Sequence, residues 1–294
     1  MDVDLRKIRY FVALAEELHF GRAAERLHIA QPVLSRQIRA LEDELKVQLL
    51  VRTKRATELT AAGRQLLDDA RPLLASAEAA RRRVVQASRG TRTFTIGFMP
   101  GITVTAAVRA FTARHPELTI ELLRTSWHDQ VEVLRDGRAD VSIVRLPIDQ
   151  QGLTIRPLFD EPRVAMLPAD HRLAGKPSIR IGDLADEHLL QDPDAVPEWR
   201  DIAVELREGT AGRVPTFQSV EEKLEHVAAR NGISVLPLST ASFYTRPDVV
   251  PVPIEDIGPN HVCLAWSSTR RSKVIHDFAD LALDVVNGEQ AAPT

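Results

Sequence analysis

Apolar residues near the start of the chain recur at helical spacing. In LRKIRYFVALAEEL (5–18), Leu5, Ile8, Val12 and Ala15 make one stripe with Phe11 and Leu18 beside it, the rhythm of an amphipathic helix. A short helix, GRAAERL, opens at Gly21, and its inward Ala23 and Ala24 are small enough to let a crossing helix approach closely. His28, Ile29 and Ala30 then turn the chain into QPVLSRQIRALE, where Leu34, Ile38, Leu41 and Leu45 form the next buried stripe. Two short helices joined by a tight turn, the second beginning with polar residues, is the layout of a helix-turn-helix.

The polar side of that second helix carries Gln31, Pro32, Ser35, Arg36 and Arg39. Pro32 fits the first helical position, where its missing N–H has no intrahelical partner. The remaining free N–H groups and the positive end of the helix dipole suit a phosphate. Gln31 can pair with an adenine edge, Arg36 with a guanine edge or a phosphate, and Ser35 with either kind of group. An ordinary surface helix with a proline start has the same pattern; the alanine-rich helix before it, the turn length and the basic surroundings favour DNA. The following LLVRTKRATELT (49–60) reads as a two-stranded wing with Leu50 and Leu59 turned inward, and Arg52, Lys54 and Arg55 placed to track a phosphate backbone.

From Thr60 the pattern lengthens. Leu66, Ala70, Leu73, Ala77, Ala80, Val84 and Ala87 step alternately by 4 and 3, a heptad seam that predicts pairing with another helix rather than packing on the chain's own body. Pro72 lies off the seam and should bend the helix slightly. Beyond Thr91 the periods alternate: FTIGF (94–98), LTIELLR (118–124) and ADVSIVRL (139–146) read as strands, with helices at about 103–115 and through Val131 and Leu134 between them. This β-α-β-α-β order predicts a parallel α/β sheet. RVAMLP (163–168) and HVCLAW (261–266) are expected as crossing strands, GISVLPLS (232–239) as a strand of a second subdomain, and HDFADLALDVV (276–286) as a helix returning to the first.

Composition sharpens this division. A chain of 294 residues with 44% hydrophobic content can bury more than one core. The net charge of -3 conceals a split: residues 1–92 hold 18 Lys+Arg against 12 Asp+Glu, a net +6, and the rest holds 20 against 29, a net -9. A basic head on an acidic body implies that the head alone meets a polyanion. The single cysteine, Cys263, permits no intrachain disulfide and fits a reducing cytoplasm. Glu16 and Glu17 interrupt the apolar run behind Arg6, Lys7 and Arg9, so the start is not read as a signal peptide. No stretch approaches the roughly 18 apolar residues of a membrane span.

FVALAEELHFGRAAERLHIAQPVLSRQIRALEDEL, followed by LL, RT and LTAAG, resembles the LysR-type transcriptional regulators across about the first 90 residues. The resemblance implies that Gln31, Pro32, Ser35 and Arg36 contact DNA from the recognition helix, with Arg52 and Arg55 in the wing. It implies a winged helix-turn-helix domain at 1–60, a dimerising linker helix at 61–90 and an effector-binding domain at 91–294. The last is expected as two α/β subdomains like a periplasmic binding protein, the first about 91–162 and 267–294, the second about 163–266. Leu49-Leu50-Val51 stands where many members have Pro-Leu-Phe-Glu, a departure that resembles the branch controlling breakdown of aromatic compounds. The implied partners are double-stranded DNA, a small anionic effector such as an aromatic or dicarboxylic acid, further copies of the chain as dimer or tetramer, and RNA polymerase.

In such a fold a ligand is expected in the cleft at the strand ends. Met99, Pro100, Gly101, Ile102 and Thr103 follow the first strand and lead toward a helix N-terminus. Gly101 stands where many relatives have a hydroxyl. Trp127 ends the second strand. Arg145 ends the third, as a ligand-carboxylate partner or as half of a structural ion pair. Trp199, Phe217, Ser219 and Trp266 are expected at the cleft by position, with ordinary packing equally open. No G-x-G-x-x-G, P-loop, H-E-x-x-H or G-x-S-x-G occurs, and no metal or cofactor site is expected. The competing readings are a constitutive repressor whose cleft binds no ligand, a solute-binding protein, and an α/β enzyme with an accessory DNA-binding domain.

Overall fold

A computed structural model describes residues 4–52, 57–88, 92–212, 217 and 219–291. The chain divides into two compact units, residues 1–90 with 135–138 and residues 91–134 with 139–294.

The first unit runs α1 (Leu5–Glu17), α2 (Phe20–Arg26), α3 (Gln31–Leu45), β1 (Leu50–Arg52), β2 (Thr57–Leu59) and α4 (Ala61–Ser88). The first two helix starts have a side-chain cap. Asp4 accepts from the Arg6 amide at 2.8 Å and the His19 ring from the Arg22 amide at 3.2 Å, satisfying N–H groups the helices leave open. Between α2 and α3, His28 takes a left-handed conformation (φ 55°) and the Ile29 amide bonds back to the Ala24 carbonyl, which sets the turn. Phe11, Leu14, Leu34 and Ile38 are fully buried where the helices cross, with Ala23 and Ala24 between them. The buried side of α1 is therefore Ile8, Phe11, Leu14 and Ala15, whereas Leu5 and Leu18, expected on or beside its stripe, are exposed.

The short motifs that carry the family resemblance hold the wing in place. The Glu42 carboxylate accepts from the Leu49 and Leu50 amides at 2.9 and 3.2 Å. Thr60 donates its hydroxyl to the Gln48 carbonyl and accepts from the Gly63 amide. A Cβ on Gly63 would lie 2.1 Å from the Leu49 carbonyl oxygen, so this position must be glycine for α4 to start against the wing. The wing itself pairs Leu50 with Leu59 antiparallel.

The second unit runs β3 (Arg92–Phe98), α5 (Thr105–Arg114), β4 (Leu118–Arg124), α6 (Glu132–Arg135), β5 (Val141–Arg145), β6 (Leu153–Glu161), β7 (Arg163–Pro168), α7 (Pro197–Arg200), α8 (Val204–Glu208), α9 (Val220–Ala228), β8 (Ser234–Pro237), α10 (Leu238–Phe243), β9 (Val249–Pro253), β10 (Asn260–Ser267) and α11 (Lys273–Ala291). Its strands form a five-stranded sheet in the order β4-β3-β5-β10-β6 and a three-stranded sheet in the order β8-β7-β9. The chain crosses between the sheets once from β6 to β7 and returns from β9 to β10. In the smaller sheet, Ala165 and Leu167 face one core while Val164 and Met166 face another, the alternation of a strand covered on both sides.

Three expectations change here. HVCLAW does not cross: β10 pairs antiparallel with β5 and β6 inside the first sheet, because its buried side chains complete that sheet's two cores. The first subdomain therefore includes Asn260–Ser267. Of GISVLPLS, only Ser234–Pro237 is strand, and Leu238 already begins α10. The helix after the first strand begins at Thr105, so Ile102 and Thr103 precede it rather than form its start.

Candidate nucleic-acid face and effector cleft

On α3, Leu34, Ile38 and Leu41 are buried, while Gln31, Pro32, Arg36 and Arg39 are exposed and Ser35 is half-buried. Gln31 is the first helical residue and Pro32 the second, one place later than expected, where an N–H would still have no intrahelical partner. Ala30 at the cap supplies no side-chain hydrogen bond to this helix start. Arg36 and Arg39 have no carboxylate partner among the described residues, in contrast to Arg22 and Arg26, which pair with Glu17 and Glu16. Two exposed guanidiniums beside a helix start without a side-chain cap make a face suited to phosphate and base edges. Arg52 ends the first wing strand. Lys54 and Arg55 lie outside the described residues.

In the effector unit the residues expected at the cleft separate into distinct environments. The turn Met99–Ile102 closes with the Ile102 amide bonded to the Met99 carbonyl at 3.2 Å. Met99 and Ile102 are buried in the first core, while Thr103 is exposed. Gly101 has φ 83°, and a Cβ there would lie 2.6 Å from the main-chain N and Cα of Thr240 on α10. The missing side chain at 101 is thus what lets the first subdomain seat on the second. Trp127 is 39% exposed. It belongs to a turn in which Asp129 accepts from the Ser126 amide and hydroxyl, and buried Gln130 bonds both the N–H and the carbonyl of Arg145.

Arg145 stands in a buried ion pair, one of the two roles open to it. It is 2% exposed, and its guanidinium already has a carboxylate: Nε and Nη2 donate to Glu161 Oε1 at 3.3 and 3.2 Å. Nη2 also donates to the Ser239 hydroxyl at 2.9 Å, and Nη1 to the Pro100 carbonyl at 3.0 Å. The other Glu161 oxygen accepts from the Ser239 amide at 3.0 Å. Burial lowers the Arg145 pKa while Glu161 raises it. With its fork taken up internally, Arg145 joins the subdomains and offers little to a ligand carboxylate. A second, exposed link joins them at the other edge, where Arg124 on β4 donates to the Tyr244 hydroxyl at 3.0 Å and lies 3.7 Å from Glu221 on α9. Glu161, Thr240 and Tyr244 lie in stretches without a clear period and Ser239 ends an expected strand, so nothing in the pattern marked them as a site.

Two tryptophans expected at the cleft are core residues. Trp199 is 0% exposed, with its indole N–H donated to the Leu184 carbonyl at 3.0 Å. Trp266 is buried in the first core and packs edge-on against His276. An aromatic side chain removes so much apolar area from water that packing alone accounts for both. Ser219 caps α9, accepting from the Glu222 amide at 3.2 Å. Phe217 packs at the edge of the core beneath α9, with its ring 5.1 Å from the His226 ring. Among the described residues no cluster of His, Cys, Asp and Glu could hold a metal, and no helix is long and apolar enough to cross a membrane.

Comparison with known proteins accounts for both units. Residues 5–64 match the bacterial regulatory helix-turn-helix family of lysR type, and residues 87–287 match the LysR substrate-binding domain. The chain is 43% identical over 288 residues to the Hca operon transcriptional activator HcaR of Escherichia coli, covering 94% of this chain and 96% of that one. It is 33% identical over 248 residues to the probable cat1 operon transcriptional activator of Acinetobacter lwoffii, covering 81% of each. Among solved structures, full-length BenM aligns over 99% of both chains at 28% identity and a TM-score of 0.55. Full-length CbnR in complex with its target DNA covers 95% of this chain and 99% of its own at 26% identity and a TM-score of 0.56. With both domain families matched in order along nearly the whole chain, this protein belongs to the LysR family of DNA-binding transcriptional regulators.

Proposed function

We propose that this regulator binds its operator through Gln31, Pro32, Ser35, Arg36 and Arg39 of α3, with Arg52, Lys54 and Arg55 on the flanking phosphates, and responds to a small aromatic or dicarboxylic acid. The carrying observation is the face of α3: Arg36 and Arg39, exposed and without a carboxylate partner among the described residues, stand opposite the buried Leu34, Ile38 and Leu41. Its relatives include regulators named for the Hca and cat1 operons, which supports the assignment to control of aromatic breakdown. The chain works in the cytoplasm as a dimer or tetramer paired through α4, contacts RNA polymerase, and carries out no chemistry of its own. Effector binding favours one arrangement of the effector subdomains, and the paired linker helices turn that preference into a change in spacing of the recognition helices on DNA. A gel shift and footprint on the DNA upstream of the chain's own gene, with and without a panel of aromatic and dicarboxylic acids, tests the proposal. Sequence-specific protection whose extent changes with one acid is the expected result; absence of any specific protection would refute it.

A further inference from the structure

With Arg145 committed to Glu161, a carboxylate effector needs a different cation. Several effector-unit cations withdrawn from water have an acid: Arg163 has Glu198, Arg246 has Glu225 and Asp248, and Arg270 has Asp140. Lys223, on the second turn of α9, is half-buried and has no carboxylate partner among the described residues. The sequence beside Phe217, RVPT before it and Gln218 after it, adds no acid either. The Lys223 ammonium lies over the Phe217 ring, 5.8 Å from its centroid. A cation taken out of water against an aromatic face, without a counter-charge, is an unfavourable arrangement for a folding core and a useful one for a site that an anion completes.

We propose that Lys223 and Phe217 form the receptor for an aromatic carboxylate effector, the ammonium pairing with the carboxylate and the Phe217 ring lying against the flat body. The proposal rests on the effector-responsive reading above and names where that effector is held. Lys223 follows the Ser219 cap by four residues, so the two share one side of the first turns of α9, where the helix dipole favours negative charge. Two of the acids nearby have cations of their own. Glu221 lies by Arg124 and the Glu225 carboxylate is held by Arg246, while Glu222, beside Lys223 in sequence, is exposed. His226 packs edge-on to Phe217 and lies 3.2 Å from the Asn231 amide. The strands beneath α9 present Val164, Met166, Leu236 and Val249. Burial alone lowers the Lys223 pKa to about 8. A bound carboxylate favours the protonated amine and raises that value, so binding takes up a proton near pH 8 and weakens as pH rises toward 9.

The test is calorimetry on the full-length protein with benzoate, phenylacetate and 3-phenylpropanoate, and with benzamide as the uncharged control. At least one carboxylate is expected to bind, and benzamide is expected to bind at least tenfold more weakly. Lys223→Gln should weaken the carboxylate at least tenfold, Lys223→Arg should restore most of the affinity, and the wild type should show buffer-dependent heats of proton uptake near pH 8. Lys223→Met should raise the melting temperature of the ligand-free protein while abolishing binding, an outcome that a merely structural lysine would reverse. The proposal is overturned if none of the three acids binds the wild type, if Lys223→Gln binds as tightly as wild type, or if Lys223→Met lowers the melting temperature. An unchanged Lys223→Gln leaves the regulator reading intact and moves the anchor elsewhere, whereas failure of that reading appears separately in the footprint.

Discussion

At position 101 a side chain has nowhere to go. The family resemblance marks Gly101 as the loss of a hydroxyl, but the geometry marks it as the loss of a Cβ, since that atom would meet the Thr240 main chain at 2.6 Å in a left-handed backbone. Gly101→Ser should therefore weaken the contact between subdomains, by strain of roughly 1–3 kcal/mol, visible as a lower denaturation midpoint. Arg145 and Arg36 make the complementary pair of tests. Removing the Arg145 side chain leaves Glu161 buried and uncompensated, so Arg145→Ala should cost about 3–5 kcal/mol of stability by urea denaturation. A loss below about 1 kcal/mol would return Arg145 to the pool of ligand contacts. Arg36 is exposed and has no carboxylate partner among the described residues, so Arg36→Ala should remove the operator-specific shift in a gel and leave stability within about 0.5 kcal/mol. Unchanged DNA binding would remove it from the contact face.

Among elements, those with a long, strong period were legible and those without one were not. The helices α1, α3 and α4 each run for three turns or more with a repeating apolar side, and the turn between α2 and α3 follows from small and polar residues in order. β6 (LTIRPLFDE) interleaves Arg156, Pro157 and Asp160 with its apolar residues at a sheet edge, so no alternation announces it. α10 has six residues and no side-chain cap, and its serines and threonine continue an apolar strand without a break. Aromatic residues were legible as important but not as to role: Trp127 is exposed, while Trp199 and Trp266 fill cores. The seam of α4 divides along its length. Leu66 and Ala70 pack into the core of the first unit, whereas Leu73 is 44% and Val84 70% exposed. Packing on its own body thus accounts for the first turns of the seam, and the exposed Leu73 and Val84 are where the proposed pairing would bring a second copy. Leu73→Glu costs the isolated chain little, because the site already faces water, but places a charge inside a paired seam. Light scattering should show wild-type oligomers and a Leu73→Glu monomer of unchanged helical content; a wild type that is monomeric at micromolar concentration would refute pairing through α4.

Over the whole molecule, charge follows the division of labour. The head through Arg92 carries a net +6 and the remainder a net -9, so the acidic body is repelled by the polyanion that the head binds, and DNA can be approached with the head foremost. In the proposed arrangement the recognition helix supplies base contacts and the wing contributes charge, with Arg52, Lys54 and Arg55 within four residues. Phosphate contacts act by releasing counterions, each steepening the dependence of log affinity on log salt by about 0.9. The wing and the recognition helix can therefore be separated by measurement. Lys54→Ala with Arg55→Ala should weaken binding to operator and unrelated DNA alike, and should make the salt slope shallower by about 2. Arg36→Ala should instead remove the preference for the operator and leave substantial affinity for any duplex. Fluorescence anisotropy from 50 to 200 mM salt on both DNAs distinguishes the two. If the double wing variant loses operator preference while keeping the wild-type slope, the wing reads bases rather than phosphates, and the division of roles between α3 and the wing is wrong.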